Sequence, residues 1–383
     1  MESSEHPPSS LKDFLYAYWD IIVGLLSGAL AYHFHLHSMQ IVSTVLAAIS
    51  IGSLSVTISE IAEILAERFG EPYGSLVLTF SAVAVEIILL FMILNGQGTE
   101  KIHAIETVKS GIISAVIVDM NVLLGISVLV GGLVYKEQEH NEDTSSTYTT
   151  ILFVSSLALL VPSVLQYSNN PGDTLKKASM IISVLLVIYY IIIYIFQTKT
   201  HSHFFKSTAK SRILRLKKKK SEEEEEEDYI FEKLSSIVNL FFMFIFIFIV
   251  GFIAEIFAKD SMPVFRDFGI STGFAGLIIA IISVTPEMFT AIKAAKNDQI
   301  QRVINIAMGA STVSILLTVP ILMGLSYINH IDLTLNFNSL QIGALIFTII
   351  LAWKTTENGE TNYIEGISHI MLFLSFAIIA AFY

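Results

Sequence analysis

The feature that decides the fold class is the length of the apolar runs. A helix needs about 20 mainly apolar residues to cross the hydrocarbon core of a bilayer. Hydropathy along the 383-residue chain predicts eleven such segments. They fall at 14–32, 40–58, 73–94, 111–135, 151–167 and 178–196, and then at 237–258, 273–291, 303–325, 340–353 and 364–382. The apolar residues run on instead of alternating or keeping to one face, so the solvent for these segments is lipid. Charged residues make up 15% of the chain, against about a quarter in a soluble domain. The expected fold class is an all-α polytopic membrane protein of about eleven transmembrane helices. The absence of cysteine excludes disulfides and thiolate metal sites. The first residues lack a basic segment followed by a small-residue cleavage site, so no cleaved signal peptide is expected.

Lys and Arg accumulate in cytoplasmic loops, and here they concentrate between residues 199 and 233. That loop is therefore placed inside, which puts the N-terminus in the cytoplasm and the C-terminus outside. Four regions result: a tail with the first helix (1–38), a first half (39–196), a cytoplasmic basic and acidic loop (197–236), and a second half (237–383). Each half contains a span with one glutamate followed by a span rich in small residues, around 73–135 and 270–325. The third span runs outward and the eighth inward. After one extra helix, the halves thus read as two inverted-topology repeats of about five helices, a plan common among secondary transporters.

Glu86 and Glu287 carry the chemistry, since each lies well inside an apolar span. A charged carboxylate at that depth costs roughly 2.5–3.5 kcal/mol even on insertion scales. Desolvation favours its neutral form, so two such groups are relieved by two protons or by one divalent cation. Hard cations take six to eight oxygen ligands. Candidate oxygens beside the glutamates are Thr79 and Ser81, then Ser283 and Thr285. Pro286 removes a backbone hydrogen bond and is expected to break its helix, freeing the Ile282 carbonyl. Glu287 is on that account expected to be the better-defined ligand. The following spans add Ser114, Asp119 and Asn121, then Ser311, Thr312 and Ser314. Ser114 and Asn121 are seven apart and share a helix face. Asp119 falls on another face, suited to a proton path. Gly125, Gly131, Gly309 and Ala310 permit close helix contact.

Lys217–Lys220 and the acidic run 221–228 form blocks of opposite charge, usually a solvated helix or linker. His33, His35 and His37 alternate in a short outside loop. Glu60, Glu63 and Glu67 are helically spaced at the end of the second span, where they line a vestibule or a solvated face. Glu255 sits near the end of the seventh span.

The segment around Glu287 resembles the second repeat of the cation/proton exchanger branch of the cation/calcium exchanger superfamily. That branch carries a glycine-asparagine-x-x-glutamate signature in each half. The first half matches through Glu63, Leu65, Ala66, Gly70, Gly74 and Glu86, followed by Asp119, Gly125, Gly131 and Gly132. The second half matches through Glu287 and Gly309-Ala310-Ser311. Ala82-Val83 and Ser283-Val284 stand where the glycine-asparagine pairs would be, and Val313 where a glutamine would be. The phrases SVTPE, NDQIQRVINIAMGA and LTVP are similar to the proteobacterial ChaA-type antiporters of that branch. The resemblance implies calcium/proton exchange, with sodium/proton and potassium/proton exchange as further substrate classes, in a bacterial inner membrane.

No cofactor is expected beyond the transported Ca²⁺ or Na⁺ and H⁺. The expected partners are the lipid bilayer and those ions, not nucleic acid, with a homo-oligomer left open. Two other classes compete. An intramembrane enzyme would use the carboxylates as acid, base or metal ligands, but the chain offers no HExxH helix and no arginine at membrane depth. A channel would favour symmetric filter loops over inverted pairs.

Overall fold

The computed structural model describes residues 14–15, 17–69, 73–96, 101–167, 171–201 and 230–382. In lipid every backbone polar group must be satisfied within the protein, and the apolar runs accordingly form helices. The first half contains α1 (Trp19–Leu36), α2 (Gln40–Phe69), α3 (Tyr73–Leu94), α4 (Lys101–Val118), α5 (Gly125–Tyr135), α6 (Glu142–Leu160) and α7 (Pro171–Ile195). The second contains the short α8 (Ile230–Lys233), α9 (Ser236–Asp267), α10 (Thr272–Lys296), α11 (Ile300–Val313), α12 (Val319–Ile328), α13 (Ser339–Thr356) and α14 (Tyr363–Phe382). The acidic run and Lys217–Lys220 lie outside the described residues.

Ten spans among the described residues are long and apolar enough to cross a membrane, one fewer than expected. The exception is α1, whose 18 residues include Asp20 in the first turn and His33 and His35 in the last. It packs along α2. The three histidines do not share a loop: the His33 and His37 rings lie 4.6 Å apart at the end of α1. His33 and His35 belong to the helix, and His35 Nδ1 lies 2.9 Å from both carboxylate oxygens of Asp260 on α9.

Two spans are discontinuous in the same way. α4 and α5 form one span, Lys101–Tyr135, joined by a π-helical turn at Asp119–Leu124. α11 and α12 form another, Ile300–Ile328, joined by a π-turn at Ser314–Thr318. Such turns insert an extra residue into the helix and concentrate at functional sites. α10 packs on α4, the first π-turn and α5, while α3 packs on α11, the second π-turn and α12. Each half's glutamate helix therefore lies against the other half's discontinuous span. The contact between α10 and α4 is made at glycines: a Cβ on Gly276 would stand 2.7 Å from the Gly111 backbone nitrogen.

One end of the bundle fixes the relative directions. β1 (Glu137–Glu139) pairs antiparallel with β2 (Glu360–Asn362). The buried Gln138 donates to the Ala295 carbonyl at the end of α10, at 3.1 Å, and Tyr135 donates to the Lys296 carbonyl at 2.9 Å. α5 and α10 therefore end on the same side. α3, which crosses in the opposite sense to the α4–α5 span, runs antiparallel to α10, as inversion requires. On that side Arg302 bridges to Glu63 at 2.8 Å, linking the halves. Arg68 donates to the carbonyls of Glu232 and Leu234, which anchors α8. Glu60 and Glu67 are both exposed, and Glu255 pairs with Lys259 at 2.6 Å.

Candidate functional site

Glu86 on α3 is buried, and its Oε2 accepts hydrogen bonds from Ser314 Oγ at 2.8 Å and Thr318 Oγ1 at 3.0 Å. Both donors belong to the second π-turn, so the first half's glutamate is gripped by the second half's helix discontinuity. Asp119 opens the first π-turn and is equally buried. Its Oδ2 accepts from Ser311 Oγ at 3.1 Å, again across the halves. The remaining oxygens, Glu86 Oε1, Asp119 Oδ1 and Glu287 Oε2, are buried without a hydrogen-bond partner. That is costly for a carboxylate.

The three acidic groups lie within reach of one another's charge. Asp119 is repelled by Glu86 and Glu287, and Glu287 by Glu86. No Lys or Arg stands among the groups that act on them. Among the described residues, no three His, Cys, Asp or Glu side chains converge tightly enough to hold a metal by themselves. A hard cation at this place therefore needs hydroxyls, carbonyls or water to fill its shell. What the arrangement offers is uncompensated negative charge at membrane depth, with hydroxyls beside it. Protons or metal cations are the species that relieve it.

Several expected site residues behave differently. α10 continues unbroken from Thr272 to Lys296 with Pro286 inside it, so there is no helix break at the proline. The discontinuities lie on the partner spans instead. Glu287 has no hydroxyl partner, and Glu86 is the more tightly held of the two, the reverse of the expectation from Pro286. Ser81, Ser283 and Thr285 donate to carbonyls of their own helices at 2.8, 3.0 and 2.8 Å, which occupies their protons and leaves oxygen lone pairs open. Thr79 hydrogen-bonds Tyr190 on α7. Ser114 is buried on α4. Asn121 is turned away from the carboxylates: it donates to Thr348 Oγ1 at 2.7 Å and meets His369 Nδ1 at 2.9 Å. The site residue that sequence reasoning missed is Thr318. Its signal was its spacing, four residues after Ser314 and seven after Ser311, one face of a helix.

Comparison with known proteins adds a family and a fold. The family model described as sodium/calcium exchanger protein matches residues 36–199 and 238–382. A Ca²⁺/H⁺ antiporter of Aphanothece halophytica is 25% identical over 338 residues, covering 86% of this chain and 87% of that one. The sodium-potassium/proton antiporter ChaA of Escherichia coli (strain K12) is 25% identical over 337 residues, covering 86% of each. Among solved structures, native YfkE superposes with a TM-score of 0.76 at 20% identity, over 95% of this chain and all of that one. The H⁺/Ca²⁺ exchanger CAX superposes with a TM-score of 0.65 at 15% identity, over 97% and 91% of the two chains.

Proposed function

Since the chain belongs to the sodium/calcium exchanger protein family, we propose that it is an integral-membrane cation/proton antiporter that exchanges Ca²⁺ for H⁺ at Glu86 and Glu287. The observation that carries this reading is the pair of glutamates on antiparallel helices. Each packs on the other half's π-turn span, with buried oxygens that have no partner and, among the described residues, no basic group acting on them.

Exchange arises from competition for those oxygens. A Ca²⁺ ion balances both glutamates, and their oxygens form the start of its shell. The hydroxyls of Ser81, Ser114, Ser283, Thr285, Ser311, Ser314 and Thr318 are the oxygens available to extend it, with Asp119 adjacent. When the ion leaves, protons restore neutrality, because two bare carboxylates in hydrocarbon are too costly to move. A site that changes sides only when neutralised couples the two fluxes. The proton gradient then drives the cation outward, and the membrane is the bacterial inner membrane with the N-terminus in the cytoplasm. The names of the relatives also support Na⁺ or K⁺ as cargo, which makes a monovalent exchanger the second reading.

The test uses purified protein in liposomes with a pH-sensitive dye, adding Ca²⁺, Na⁺ and K⁺ separately across an imposed pH gradient. Ca²⁺ is expected to release protons at the lowest concentration of the three. A cation-independent signal, or none, sinks the proposal.

The grip on Glu86 yields a graded expectation. Thr318→Val keeps the shape of the side chain and deletes one of two hydroxyls on Oε2. A hydrogen bond to a charged group is worth about 1.5–3 kcal/mol. The half-saturating Ca²⁺ concentration is therefore expected to rise by roughly tenfold or more, with maximal flux far less affected. An unchanged half-saturation would remove Thr318 from the site.

A further inference from the structure

Behind the first π-turn runs a hydrogen-bond chain made of residues that the exchange site does not use. His369 on α14 is fully buried. Its Nδ1 lies 2.9 Å from Asn121 Oδ1 and its Nε2 lies 3.0 Å from Thr355 Oγ1 on α13. Asn121 in turn donates to Thr348 Oγ1, also on α13. The Asn121 amide oxygen only accepts, so Nδ1 donates to it, while Nε2 pairs with the Thr355 hydroxyl. The imidazole is thereby fixed in orientation. Both of its ring nitrogens are used, which satisfies a polar group that burial would otherwise penalise.

The helices come close enough for this contact only because side chains are missing where they cross. A Cβ on Gly125 would stand 2.8 Å from His369 Cβ, and one on Gly366 would stand 2.4 Å from the Leu129 backbone nitrogen. The cluster therefore ties three elements together: the first π-turn, α13 and α14. Asn121 lies two residues beyond Asp119 in the same six-residue π-turn. The extra residue of a π-turn rotates the downstream residues by about 100° relative to a continuous α-helix. Whether Asp119 faces Ser311 and the glutamates thus depends on that turn keeping its register, and Asn121 is the side chain of the turn that anchors it to α13 and α14.

We infer that His369 is a positioning residue: through Asn121 it pins the first π-turn to α13 and α14, and so holds Asp119 in place beside Glu86 and Glu287. It touches no cation. The transport readout rests on the antiport reading, but the inference also predicts a change in cation binding that is measurable without transport.

The experiment compares His369→Asn, His369→Gln and His369→Leu with the wild type in liposome flux and in Ca²⁺ calorimetry on detergent-purified protein. An asparagine amide nitrogen falls where Nδ1 was and retains the donor to Asn121; a glutamine amide reaches toward Nε2 and does not. His369→Asn is expected to stay within about twofold of wild-type half-saturation, while Gln and Leu raise it by about fivefold or more, the equivalent of one hydrogen bond. In an Asp119→Asn background, His369→Gln is expected to add no further shift, because it acts through Asp119. Equal half-saturation in Asn, Gln and wild type overturns the inference, as does an additive effect in the Asp119→Asn background. Should the leucine variant fail to elute as folded protein, the Asn and Gln pair carries the comparison. Absent wild-type flux with a preserved binding pattern would overturn antiport and leave the positioning role standing.

Discussion

Replacing Glu287 or Glu86 by glutamine is expected to abolish cation-driven proton flux while leaving the protein at least as stable as the wild type. Glutamine has the volume of glutamate, and at position 86 its carbonyl oxygen still accepts from Ser314 and Thr318. The packing of α3 and α10 on the opposite π-turn spans is therefore kept. What disappears is an acid whose buried oxygen has no partner and which is repelled by its acidic neighbours. Removing an uncompensated buried charge tends to stabilise, so the melting temperature in detergent is expected to hold or rise. The functional loss has two sources. The cation loses one of two balancing charges, and the proton loses the group it would occupy on the return. Flux is expected to fall by at least about a hundredfold, an energy of roughly 2.7 kcal/mol. Wild-type flux from both variants would sink the proposed mechanism. Inactivity accompanied by a lowered melting temperature would point to misfolding instead, so the two measurements are read together.

The parts of the candidate site most legible in the sequence were the two glutamates, both on continuous helices. Glu86 and Glu287 stand out because a carboxylate is costly in an apolar run, and that cost is independent of the neighbours. The inversion was legible for the same reason, since direction of crossing comes from counting spans. The π-turns were not legible, and they account for the errors. Ser114 and Asn121 are seven apart and share a face on a straight helix. The π-turn beginning at Asp119 changes the rotation per residue before Asn121, which meets Thr348 and His369. Asp119, expected on another face, opens that turn and accepts from Ser311. In the second half a trace of the turn was present, because Pro320 gives the Leu316 carbonyl, inside the π-turn, no i+4 donor. In the first half no proline marks Asp119–Leu124. Pro286, the break that looked obvious, is absorbed within a continuous α10.

Asp119→Asn is expected to change which cation the protein prefers more than whether it transports. Asparagine can keep the hydrogen bond from Ser311, and with it the contact that joins the first π-turn to α11. The variant removes one of three negative charges that act on the same small volume. Coulomb energy scales with the product of the charges, so the loss bears twice as heavily on a divalent ion as on a monovalent ion at the same place. If Na⁺ half-saturation rises about tenfold, an energy of about 1.4 kcal/mol, Ca²⁺ half-saturation is expected to rise about a hundredfold. The ratio of the two shifts is the diagnostic, because a general loosening of the site would move both ions alike. The measurement is the pair of half-saturating concentrations, taken on wild type and variant in the same liposome preparation. Equal factors for Na⁺ and Ca²⁺ would mean that Asp119 organises the turn without its charge reaching the ion. A larger factor for Ca²⁺ places the carboxylate within the field of the cation and makes it a determinant of ion choice, even though the straight-helix reading turned it away from the site.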